Sequence, residues 1–201
     1  MNKRVFHKNT VEFITVSQEF ILFCEDNSSY SSFQTASYLN YLFPLLYLKT
    51  KMLPEFEQYE ESMMENFVTE DIYQFMMRIF EEKFGELDMD CEIPETASPN
   101  NEITYEPLSE VIADIYQDIK NVVMHYQSGD ETIMESALYT CKSNFELFWG
   151  QRVLSALQVL HTLTIFKKEL LNEVHPKKGT SMEDVDTSHW IIHQRQQEWE
   201  S

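Results

Sequence analysis

Between Glu131 and Val174 the chain carries no proline and a single glycine, Gly150. A stretch so poor in helix breakers reads as helix, yet one straight helix of that length would run about 65 Å at 1.5 Å per residue. A compact domain cannot cover such a rod, so a break or bend is expected near Gly150, dividing it into two helices. The same economy holds throughout: 201 residues include only four glycines and six prolines, against fourteen phenylalanines, ten tyrosines and ten methionines. Sheet architectures need more tight turns than that, and large unbranched or aromatic side chains suit packed helices. The expected fold is all-α, a single-domain helical bundle of about six helices over residues 1–175, with a long acidic loop and a polar C-terminal tail over 176–201.

Periodicity supplies the elements. From Thr10 to Cys24 apolar residues cover a wide helical surface, and Phe33 to Lys51 reads as a second helix, interrupted or bent at Pro44. Thr69 is placed to cap a third, with Glu70 and Asp71 in its first turn and Gly85 as its stop. The stretch 86–106, acidic and without a period, is expected to be an exposed connection. Pro107 then opens a fourth helix, which Gly129 ends. The short connection to Ile133 makes the fourth and fifth helices antiparallel neighbours.

Thirty-four acidic and fifteen basic residues give a formal charge of -19, which repels phosphate backbones and anionic lipid surfaces and so argues against nucleic-acid or membrane partners. No apolar run approaches the ~18 residues of a membrane span, and the N-terminus has no signal-peptide core. Cys24, Cys91 and Cys141 are odd in number and lack any CxxC pair, which fits the cytoplasm. No cofactor motif is present. Neither the carboxylate motifs of helical pyrophosphohydrolases nor the ExxH of di-iron bundles is complete.

One charge stands out. On the stripe Met134, Leu138, Cys141, Phe145, Phe148, Arg152, Ala156, Val159, Leu163, Phe166, Leu170, the arginine is the sole polar member. On the fourth helix Asp118 shares a face with Val111, Ile115 and Val122, and Asp114 lies one turn earlier, with Glu110 before it. Like charges at this spacing oppose one another, and an enclosed guanidinium needs carboxylates for its five donors. Arg152 is therefore expected to meet Asp114 and Asp118, either as a structural ion pair fixing helix register or as part of a ligand pocket. His161 lies on a mixed flank of the same stretch. His189 and His193 are spaced i,i+4 and could chelate a metal, although no HExxH glutamate accompanies them.

The stretch EVIADIYQDIKNVVMHYQSGDETIMESALYTCKSNFELFWGQRVLSALQVLHTL resembles the C-terminal core of the domain-of-unknown-function family 5063, found in bacteria including Bacteroides relatives. VEFITVSQEFILFCED is similar to its opening helix. The shared pattern falls on DIYQDIK, the WG pair and the ALxxLH ending, here Asp114, Tyr116, Asp118, Trp149, Gly150 and His161. The resemblance covers most of residues 10 to 172 and implies a bacterial, cytosolic, all-helical protein without supplying a mechanism. Together these readings point to a non-enzymatic interaction or accessory module with a protein partner. The competing reading is a small-ligand or metal-dependent enzyme whose pocket is lined by Asp114, Asp118, Arg152 and His161.

Overall fold

Helix α4 (Leu108–Gln127) is buried on nearly every side, its Val111, Ile112, Ile115, Tyr116, Ile119 and Val123 all closed to solvent. Apolar residues stepping by three and four give such a helix a broad face to bury, and the remaining helices take up positions around it. In the computed structural model, which describes residues 4–57, 65–94 and 102–174, α4 packs against α1 (Lys8–Glu25), α3 (Glu70–Phe84), α5 (Glu131–Asn144) and α6 (Gly150–Phe166). Helix α2 (Ser32–Lys51) lies outside this layer against α1 and α6, and the short α7 (Lys168–Glu173) rests on α2 and α6. The fold is a helical single domain with one small two-stranded sheet.

The helix ends follow local chemistry. Thr69 accepts from the Ile72 amide and Gly85 closes α3 with φ 54°, where a side chain would be strained. Asp130 accepts from the Thr132 and Ile133 amides at the start of α5, directly after Gly129 turns the chain with φ 75°. Ser31 and Gln34 form a reciprocal cap on α2. That helix continues through Pro44, which sits on its exposed side, to Lys51.

Two expectations are corrected. The stretch 86–106 is not a plain loop: strands β1 (Asp90–Pro94) and β2 (Ile103–Pro107) pair antiparallel, with Cys91 opposite Glu106. Cys91 and Ile93 point inward and their neighbours outward, the two-residue alternation of a half-buried strand. The apolar stripe is the second. Phe148, Phe166 and Leu170 are exposed, and Trp149 and Leu171 are buried instead.

The slip at Trp149 has a local cause. Residues Phe145–Trp149 form a π turn, closed by the Gly150 amide donating to the Phe145 carbonyl. Five residues per hydrogen-bonded step, in place of four, rotate the succeeding segment by one position, so Trp149 enters the core where Phe148 was expected. Its ring packs edge-on against Phe145, and its indole N–H donates to the Cys141 carbonyl. A Cβ on Gly150 would stand 2.4 Å from the Phe145 carbonyl oxygen, so the turn requires glycine at that position. The expected break near Gly150 thus takes the form of a π turn immediately before it.

Candidate functional site

Glu106, at the end of β2, directly precedes α4, and the first turn of that helix fixes its place. Asp88 accepts from both the amide (2.9 Å) and the hydroxyl (2.6 Å) of Ser109, while Met89 accepts from the Leu108 amide. An anion at a helix N-terminus satisfies otherwise orphaned donors. Across the hairpin, Ser155 on α6 donates to the Glu92 carbonyl, so the sheet is pinned to both helices that carry the site.

Between those helices lies Arg152. Its Nε donates to Asp114 Oδ2 at 2.8 Å and its Nη2 to Glu106 Oε1 at 2.8 Å, so one guanidinium ties α6 to α4 and to β2. The side chains are largely enclosed, at 21% exposure for Arg152, 29% for Asp114 and 16% for Glu106. On the far side of Asp114, Tyr73 of α3 donates its hydroxyl to Oδ1 at 2.8 Å. Asp118 is handled differently: its Oδ1 accepts from Asn144 Nδ2 at 2.8 Å, and among the described residues no cation pairs with it.

Burial sets the titration of these groups. It raises the Glu106 carboxyl, against the pull of Arg152 and with help from Asp114 and Glu110; the second oxygen, Oε2, is enclosed without a hydrogen-bond partner. Burial likewise raises Asp118, against the Asn144 hydrogen bond. Tyr73 is pushed upward by burial and by the adjacent Asp114 charge.

The group opens onto solvent through a cleft of about 220 Å³ lined by Asp114, Gln117, Asp118, Phe148, Trp149 and Arg152. A second cleft, about 170 Å³, adjoins it at Gln117 and Asp118 and runs between α4 and α5 past Asn121, Thr140 and Asn144. Because of the π turn, Phe148 lines the first cleft while 56% exposed, and Leu147 before it is 60% exposed.

Asp114, Asp118, Trp149 and Arg152 are therefore brought together, but Tyr116 and His161 are not part of the group. Tyr116 is fully buried on another side of α4, where its hydroxyl and Lys120 Nζ both donate to Glu25 Oε1, at 3.0 and 2.7 Å. His161 is exposed on α6 beside Phe166 and lines neither cleft. His189 and His193 lie outside the described residues. Among the described residues no three His, Cys, Asp or Glu side chains are grouped to hold a metal ion. Glu106, Tyr73 and Asn144 are participants that sequence reasoning missed; extending the row Glu110–Asp114 back by one more turn-length would have reached Glu106.

Among the described residues no helix is long and apolar enough to cross a membrane. No curated protein matches the chain. The crystal structure of protein BF1032 from Bacteroides fragilis is similar to it, with 34% identity and a TM-score of 0.70, over 79% of this chain and 94% of that one. The match to a family model spans residues 4–165, which takes in all of α1 to α5, the hairpin and the guanidinium group, and by it the chain belongs to the family described as domain of unknown function DUF5063.

Proposed function

We propose that the chain is a non-enzymatic interaction module of the bacterial cytoplasm whose protein partner docks over the π turn. The observation that carries this reading is the outward display of Phe148, which lines the cleft with Arg152, and of Leu147 next to it in the chain. A π turn gives up regular helix geometry and recurs at functional positions. Aromatic side chains and arginine are the residues in which interface binding energy concentrates. Three free, buried cysteines fit a reducing compartment. The likeness to a Bacteroides fragilis protein supports a bacterial setting.

Both clefts are open to solvent, which favours a surface contact over an enclosed substrate. The competing enzyme reading also loses His161, which lies away from the cleft. A photo-crosslinking residue placed at Leu147 in the native host tests the proposal against the same residue at Tyr41, an exposed position on α2. A discrete crosslinked protein from position 147, absent from position 41 and lost on Phe148→Ser, is expected. Identical product patterns from both positions would refute the docking site.

A further inference from the structure

We infer that Asp118 receives a cationic donor, an ammonium or guanidinium head on a slim stem, in the groove formed where the two clefts meet. The clefts share Gln117 and Asp118, so they adjoin along one polar line of α4 that runs from Asp114 through Gln117 and Asp118 to Asn121. Arg152 is committed to Asp114 and Glu106, which leaves Asp118 as a half-buried carboxylate held by one neutral amide. Arg152 acts on Asp118 only through space, and a carboxylate withdrawn from water without a directly bonded counter-ion is costly, so a cation entering the groove offsets that cost. An ammonium head carries three donors; after Asp118 takes one, the Gln117 carboxamide in the groove lining is a candidate acceptor for another, while the Asn121 oxygen already accepts from the Phe67 amide at 2.9 Å. The chain's charge of -19 favours the approach of cations from any direction.

Two sources carry this chemistry, a lysine or arginine side chain of a docked partner and a free alkylamine. The inference rests on the interaction reading for the choice of the first source, and not for the site itself. The test titrates the folded protein with butylammonium, spermidine and the capped peptide Gly-Gly-Lys-Gly-Gly, tracking the side-chain amide resonances of Gln117 and Asn144. Tetramethylammonium, which cannot donate a hydrogen bond, serves as the control at matched ionic strength. Saturable shifts with the donor cations and none with tetramethylammonium are expected. Asp118→Asn, which keeps the shape and the Asn144 bond, should weaken binding by about tenfold or more, the scale of a lost charged hydrogen bond. Gln117→Glu should tighten it.

Tighter binding of the peptide than of the free amines identifies a partner side chain as the source; the reverse order identifies a small amine. Shifts that stay linear, or that are equal in wild type and Asp118→Asn, overturn the site. Leu147→Ser, at an exposed position that lines neither cleft, should leave the butylammonium titration unchanged. A failed crosslinking experiment alongside a saturable titration would therefore remove the docking reading and leave the cation site standing.

Discussion

Arg152 Nε stands 2.8 Å from Asp114 Oδ2, and this contact joins the central helix to the helix that comes after the π turn. With Nη2 of the same guanidinium on Glu106, a single cation bridges two carboxylates and ties α6 to both α4 and β2.

Arg152→Ala should therefore lower stability by about 2 to 3 kcal/mol, less than the ~3 to 5 of a fully buried pair because the guanidinium is one-fifth exposed. For a domain of this size that is a fall of several degrees in Tm. Arg152→Lys should recover only part of it, since an ammonium cannot present the planar fork that spans two carboxylates. Thermal melts monitored by circular dichroism check both variants; an unchanged Tm for the alanine form contradicts the role assigned to the pair.

Lys120 and Glu25 form a more deeply buried pair, with side chains 3% and 0% exposed. Burial lowers the lysine below its usual range, against the pull of Glu25. Lys120→Met removes the ammonium that stands 2.7 Å from the buried Glu25 carboxylate and should cost about 3 to 5 kcal/mol. Adding Glu25→Gln, which keeps an acceptor for Tyr116, should restore a large part. A double-mutant cycle by urea denaturation measures the coupling, and additive losses would contradict it.

Gly150→Ala reverses an ordinary expectation. Inside a regular helix this change stabilises by about 1 kcal/mol. Here the new methyl would meet the Phe145 carbonyl and ring, so the variant should be destabilised by at least ~1 kcal/mol, read as a lower urea midpoint. A midpoint above that of wild type would show that the π turn relaxes freely into an α-helix.

Asp118 gives a pH signature. Burial raises its folded-state carboxyl above the unfolded value, so in the window between the two the folded chain binds the extra proton. By linkage its contribution to stability falls as pH rises through that window and is least favourable at neutral pH. Asp118→Asn should accordingly be more stable than wild type at pH 7, with the difference shrinking toward the ordinary carboxylate range near pH ~4. Urea midpoints of both proteins across that interval provide the check; a difference that grows on acidification has the wrong sign.

The sequence was most informative where local chemistry acts alone. Thr69, Gly85, Gly129 and the uninterrupted period of α4 marked helix limits that the structure reproduces, and the lone arginine among apolar residues led to Asp114. It was least informative where structure depends on what lies opposite. Nothing in the period of α4 marks Lys120, whose pairing with Glu25 depends on α1 covering that side of the helix. The five residues of β1 are too few for their alternation to be seen among acids and prolines, and Glu106 was hidden with them. Asp118 was paired with the wrong partner because helical spacing locates a face but not the end of α5, where Asn144 waits. No residue pattern announces the π turn, so the exchange of Phe148 for Trp149 could not be read in advance.

That extra residue also sets the phase between the two halves of the long C-terminal stretch. Each helical residue turns the chain by about 100°. Straightening the turn into regular α-helix with all its residues kept would swing every later side chain around the axis by that angle. Val153, Ala156 and Leu160 would leave the core together and Arg152 would lose Asp114, so the whole segment has to be retained or lost as a unit.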